Sequence, residues 1–267
     1  MTEIRAWIGY CERTEKRPYF YANAHEKDFV PLVPVEVEIV EARGREFSLD
    51  VEGFTLVEHT SAMADLTDLD AVKNSHANEI AELLRTVSGC DHVAMTPTGI
   101  LRFSERAGAN EGHDNSHPAR FVHVDMATEA AAHARAQSAP EGREIVRSAQ
   151  YNVWRVLSPP PQDVPLGLCD YTSLSPYDLI DCAAIFDPLD GSLEWSFPNY
   201  LLAYNPAHRW YCYSAMHPGE ALVFKTSESD PERAQMMPHG AFDNPLARED
   251  TVPRISLEMR GTAYWFA

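Results

Sequence analysis

His123 and Asp125 stand two residues apart in 121–125 (FVHVD), a run of β-formers. On a strand, residues at that spacing project from the same face. An imidazole and a carboxylate offered together make two-thirds of a 2-His-1-carboxylate facial triad. That ligand set leaves positions on Fe(II) open for a co-substrate and for dioxygen. The triplet alone is weak, because 11 His and 40 acidic residues make such spacings common. Its meaning depends on a third ligand and an anion anchor further along the chain.

Both follow in order. His239, in MMPHGAF, is the candidate third ligand, and Arg254 and Ser256, in PRISLEMR, share one face of the strand beginning there. A guanidinium fork beside a hydroxyl receives a carboxylate through paired, charge-assisted hydrogen bonds. The ordered set H-x-D, His, R-x-S is the pattern expected of an iron(II)/2-oxoglutarate oxygenase. His217 is a rival for His239, but it lies in a Pro-Gly turn between two strands and reads as a surface loop residue. His113 and His117 have i,i+4 spacing, yet Gly112, Asn115, Ser116 and Pro118 argue against the helix that a ligand pair would need. Glu258 and Arg260 fall on the same face as Arg254 and are expected to pair with each other.

Further positions are candidates by type and place. Asn152 and Trp154 share a strand face, with Arg155 on the other; Asn152 could donate to 2-oxoglutarate or to bound water. Arg120 or Arg155 could bind a substrate carboxylate. Trp154, Phe121, Met126, Tyr204 and Trp210 are candidates to line a substrate pocket.

These side chains need a rigid β scaffold. Residues 1–60 read as short strands and loops, with a tight turn at Gly53. The spacing of Leu69, Val72, Ile80, Leu83, Leu84 and Val87 predicts a helix from Thr67 to a stop at Gly89. Residues 106–120 are a polar loop that could border the site. An Ala-rich helix after Thr128 is expected as a lid or a plain surface helix. From Arg143 onward, short β runs separated by Pro, Gly, Asp and Asn predict a β-sandwich or jelly roll. The expected architecture is mainly β with α decoration: one domain over 1–267, in which 1–105 packs on a jelly-roll core at 118–267.

Bulk properties narrow the partners. The formal charge of −18 disfavours nucleic acid and anionic membrane surfaces, since phosphates would be repelled. Five scattered cysteines (Cys11, Cys90, Cys169, Cys182, Cys212) form no C-x-x-C, which points to a reducing, cytoplasmic setting. The first residues lack the apolar core of a signal peptide, and no uncharged run reaches membrane-spanning length.

Several blocks together resemble the AsaB/CmcJ-like family of non-haem iron oxygenases, which includes fungal hydroxylase/desaturases. They are GFTLVEHTSAMADLTD, ARFVHVDMAT, NVWRVLSPPPQDVPLGLCD, RWYCYSAMHPGEALVFK, HGAFDNP and PRISLEMR, in the family's order. The resemblance implies a double-stranded β-helix (cupin-like) core, Fe(II), 2-oxoglutarate and O2. It implies His123, Asp125 and His239 as iron ligands, with Arg254 and Ser256 on the distal carboxylate of 2-oxoglutarate. Val156 stands where the family usually has Pro, and Met126-Ala127 replaces a more polar pair. The expected activity is hydroxylation, desaturation or oxidative cyclisation of a small natural-product or amino-acid-like molecule. Two other readings are a same-fold iron oxidase that does not use 2-oxoglutarate, and a non-catalytic jelly-roll binding module.

Overall fold

Alternation of apolar and polar residues recurs along the chain, and strands make up most of its regular structure. The computed structural model describes residues 3–96, 98–108 and 112–267. Its early strands are β1 (Glu3–Cys11), β2 (Tyr19–Tyr21), β3 (Leu32–Glu41), β4 (Phe54–Glu58), β5 (His92–Met95) and β6 (Ile100–Phe103). Then come β7 (His123–Val124), β8 (Ile145–Val156), β9 (Leu166–Cys169), β10 (Leu179–Phe186) and β11 (Trp195–Leu202). The last are β12 (Trp210–Cys212), β13 (Glu220–Glu228), β14 (His239–Ala241) and β15 (Ile255–Phe266).

These build two sheets of a jelly roll. A nine-stranded sheet has the order β1-β3-β12-β9-β14-β7-β11-β10-β2; a six-stranded sheet runs β4-β13-β8-β15-β5, with β6 also on β15. Between them, Trp154, Val156, Leu222 and Phe224 of the six-stranded sheet pack with Leu168 and Tyr211 of the nine-stranded one. The N-terminal strands are woven into both sheets instead of lying on a finished core. β15 is 12 residues long and its second edge needs partners, which β5 and β6 supply.

Strand parity divides β8 and β15 into two working faces. Tyr151, Val153, Leu257, Met259 and Ala263 turn outward and pack with Val72, Ile80, Leu83 and Leu84. The alternate residues, among them Asn152, Trp154, Ser256 and Glu258, turn toward the nine-stranded sheet. The outer layer is the expected helix, as α1 (Leu69–Ala71), a π-turn (Val72–His76) and α2 (Ala77–Ser88). Asp68 caps its start by accepting from the Ala71 amide, and Gly89 ends it at φ +70°, a conformation glycine adopts freely. The π-turn was not legible in the periodicity.

The Ala-rich segment is α3 (Thr128–Gln137). It lies on β8, where Arg135 donates from Nε to Ser148 Oγ at 3.2 Å, and it lines neither cavity that reaches His123. Among the described residues no helix is long and apolar enough to cross a membrane.

Gly261 marks how closely α2 sits on β15. A Cβ there would lie 2.7 Å from Leu84 Cδ1 and 3.0 Å from Met95 Sδ. Gly261→Val is therefore expected to destabilise the fold by about 1–3 kcal/mol through overpacking, read as a lower urea midpoint with an unchanged m-value.

Candidate metal centre

The two candidate histidines are set opposite each other by sheet register. β7 is only two residues long and lies between β14 and β11, with His123 paired to His239 on one side and Leu201 on the other. The ring centroids are 4.4 Å apart. Asp125 falls just past β7, at a bend, so its carboxylate swings toward the rings and not along an extended strand. His123 Nε2 lies 3.8 Å from Asp125 Oδ1. The three residues present ligand atoms within 4.8 Å of one another.

Each ring is oriented by its own strand. His123 Nδ1 is 3.1 Å from the Phe121 carbonyl, and His239 Nδ1 is 3.2 Å from the Met237 carbonyl. A carbonyl only accepts, so Nδ1 carries the hydrogen and Nε2 keeps its lone pair for a metal. Burial pushes the His123 pKa down to about 3, with His239 adding to the effect. The imidazole is thus neutral, as ligation requires.

Asp125 is held ionised. Burial alone would raise its pKa, but Arg260 and a hydrogen bond from Asn152 bring it below the usual carboxylate range. Asn152 Nδ2 donates to Asp125 Oδ2 at 2.7 Å, and Arg260 lies 3.4 Å from Oδ1. Arg260 is itself held by Glu258 at 2.7 Å. The expected Glu258–Arg260 pair exists, and it positions Arg260 on the carboxylate, a role the sequence reading did not foresee. Asn152 likewise has a role the sequence reading did not foresee: its amide donates to Asp125.

Beside His123 and His239 lies a narrow cleft whose walls include Arg254, Trp154 and Arg102. Arg254 is 1% exposed. Its backbone amide donates to Asp163 Oδ1 at 2.8 Å and its Nη1 to the Val164 carbonyl at 2.6 Å. The guanidinium sits 5.6 Å from the Trp154 ring centroid. Its Nε and the Ser256 Oγ are buried with no partner among the described residues. Burial, with Arg102 and Arg120 nearby, disfavours the Arg254 charge. An entering carboxylate would relieve that strain and satisfy both orphaned groups, so these residues fit 2-oxoglutarate.

A second, wider cavity of about 290 Å³ also reaches His123, and Asp125 with it. Phe20, Phe121, Phe197, Arg102, Arg120 and Asn199 are among its walls. The polar loop does border it, through Asn115 and His117 to Phe121. Arg120 is present but already paired with Glu105 at 2.7 Å and Asp243 at 2.9 Å.

Arg155 is corrected as a substrate contact. Its parity puts it on the α2 side of β8, where Nη2 lies 2.6 Å from His59 Nδ1. Tyr204 and Trp210 belong to a separate cluster around Tyr10, into whose hydroxyl Trp210 Nε1 donates at 2.7 Å. Met126 lines neither cavity. His217 is half-exposed in its turn, as expected. It forms a second cluster with Glu58 and Glu220, but Arg43 already pairs with Glu220 at 2.6 Å. Arg102, which lines both cavities, was missed because the short strand β6 carries no motif.

With this geometry in place, known proteins sharpen the picture. The oxidoreductase/YMDC permease-like domain family matches residues 8–264. The chain belongs to this family. The alpha-ketoglutarate-dependent dioxygenase phiK of Fungal sp. is 31% identical over 84% of this chain and 82% of its own. The hydroxylase/desaturase efuI of Hormonema carpetanum is 27% identical, covering 87% of this chain and 83% of its own. Relatives of this kind bear out the resemblance drawn from the motif blocks. Among solved structures, the iron and alpha-ketoglutarate-dependent endoperoxidase NvfI superposes with a TM-score of 0.83, covering 100% of this chain and 98% of that one. Its 23% identity speaks for a shared fold alone.

Asn152→Ala frees Asp125 to turn from the histidines. Affinity for a divalent cation is expected to fall roughly 10–100-fold, as when other outer partners of metal ligands are removed. Anaerobic Fe(II) titration measures it, with thermal melting as the folding control.

Proposed function

We propose that this chain is an Fe(II)- and 2-oxoglutarate-dependent oxygenase that hydroxylates, desaturates or oxidatively cyclises a small natural-product or amino-acid-like substrate. The observation that carries this reading is the His123–Asp125–His239 cluster beside a buried arginine Nε and a buried serine Oγ that have no partner among the described residues. His123, Asp125 and His239 would hold the iron; Arg254 and Ser256 would hold the distal carboxylate of 2-oxoglutarate. When bound, iron with 2-oxoglutarate and O2 supplies oxidation of an unactivated C–H bond, coupled to decarboxylation of the co-substrate to succinate. The names of the dioxygenase and hydroxylase/desaturase relatives support the same chemistry.

The chain's own residues do the positioning. Phe121 and Met237 carbonyls fix both imidazoles with Nε2 toward the shared gap. Asn152 and Arg260 keep Asp125 ionised and aimed at that gap. Trp154 and Leu166 wall the narrow cleft, so a molecule held on Arg254 is shielded from water. The wider cavity, which also reaches His123 and Asp125, gives a substrate room to approach the same centre. Strands from both halves of the chain supply these groups, so we infer that 1–267 acts as one oxygenase domain.

The oxidase that dispenses with 2-oxoglutarate has no use for a buried Arg254 Nε and Ser256 Oγ left without a partner among the described residues. Arg254→Leu tests the assignment. It is expected to raise the 2-oxoglutarate Kd at least about 30-fold, the equivalent of about 2 kcal/mol for truncating a buried charge pair. Fe(II) affinity without 2-oxoglutarate should stay near wild type. An unchanged 2-oxoglutarate Kd in calorimetry would remove Arg254 from the site.

A further inference from the structure

We infer that Asn199 orients the substrate by pairing with a cis-amide edge, such as that of a lactam or imide; this rests on the oxygenase reading of the same centre. Asn199 lies on β11, the strand that pairs with β7. Leu201 is opposite His123, and Asn199 stands two residues back on the same strand face, one register step toward Asp125. Phe197, two residues further, also lines the wide cavity, as does Asn199 itself. A polar contact at Asn199 would therefore hold a molecule next to the candidate metal ligands.

The side chain has no structural employment. Asn199 is 1% exposed, and neither Nδ2 nor Oδ1 has a partner among the described residues. Its cross-strand neighbour on β10 is Cys182, and Ala184 stands opposite Phe197, so the adjoining surface is small and offers an amide little to bond. A buried amide with both ends unpaired is costly, and native proteins tolerate few of them. The charged side chains of the same cavity are already engaged. Arg260 faces Glu258 and Asp125, Arg120 faces Glu105 and Asp243, and Arg102 donates to the Asn115 and His117 carbonyls.

The chemistry of the partner follows from the carboxamide. It offers one acceptor and one donor side by side in a plane. A cis-amide presents the matching donor and acceptor and closes two antiparallel N–H···O bonds. A carboxylate would serve Nδ2 but set an anionic oxygen against Oδ1. A lactone has the carbonyl but no N–H, so one bond is lost and two oxygens face each other. The walls around Asn199 include Phe20, Phe121, Phe186 and Phe197, flat apolar surfaces suited to a ring system carrying that lactam edge.

Two planar isosteres separate the possibilities: carbostyril, a lactam, and coumarin, its lactone counterpart. Calorimetry on the metal-free protein, and again with Fe(II) and 2-oxoglutarate under anaerobic conditions, should show carbostyril binding at least about tenfold more tightly, the usual scale for one buried hydrogen bond left unmade. In Asn199→Leu the preference should vanish, while Tm equals or exceeds that of wild type, because an unpaired buried amide has been replaced by an apolar group of similar shape. A conservative Asn199→Gln variant should retain part of the preference. Equal binding of the two probes by wild type, no binding of carbostyril, or a preference that survives in Asn199→Leu overturns the proposal. So does a fall in the Tm of Asn199→Leu, which would show that the amide has a structural partner such as a buried water. Failure to bind Fe(II) with 2-oxoglutarate contradicts the oxygenase reading separately, since the lactam preference is also read on metal-free protein.

Discussion

An ionised, largely buried carboxylate sits beside two imidazoles, and the surrounding structure is arranged to keep that combination in place. Desolvation works against the charge on Asp125, and Arg260, with the Asn152 amide, outweighs it. Arg260 can sit so near the centre because Glu258 shares the same strand face and holds its guanidinium. The chain Glu258–Arg260–Asp125–Asn152 thus ties β15, the bend after β7 and β8 into one electrostatic unit. Remove Arg260 and the Asp125 and Glu258 carboxylates lose the cation they share, the situation proteins avoid most strongly.

Strand parity is what allows one pair of strands to do two jobs. On β8 and β15 one set of residues forms an apolar seat for α2, tight enough that Gly261 has no room for a methyl group. The other set carries Asn152, Trp154, Arg254, Ser256, Glu258 and Arg260 toward the nine-stranded sheet. Because the two sets alternate, packing of the helix fixes the height and tilt of the site residues without touching them. The nine-stranded sheet contributes the histidines in the same way: β14 and β7 are short, but each is flanked on both sides, so His123 and His239 stand on a paired lattice.

The parts of the site that could be read in the sequence are those fixed by spacing along one strand. His123, Asp125, His239, Arg254 and Ser256 were marked out by H-x-D, R-x-S and the order of the motif blocks, although Asp125 lies at the bend past β7 and not on the strand itself. The β-rich jelly roll and the helix after Thr67 were legible from periodicity. What escaped depends on contacts between strands far apart in the chain. Asn152 reaches Asp125 across 27 positions, and Arg260 across 135. No local pattern encodes either. Arg155 was misplaced even though parity already set it apart from Asn152 and Trp154; residue type outweighed geometry there. Arg102 and Asn199 lie on strands with no motif, and only a cavity reveals them.

The most direct test of the central claim is an anaerobic titration with Fe(II) followed by 2-oxoglutarate, watched in the visible region. Chelation of the co-substrate to iron held by His123, Asp125 and His239 predicts a weak metal-to-ligand charge-transfer band in wild type. The band should be absent in His239→Ala protein that is folded by circular dichroism. Iron binding without any such band would contradict a 2-oxoglutarate site, and an undiminished band in His239→Ala would contradict the proposed ligand set.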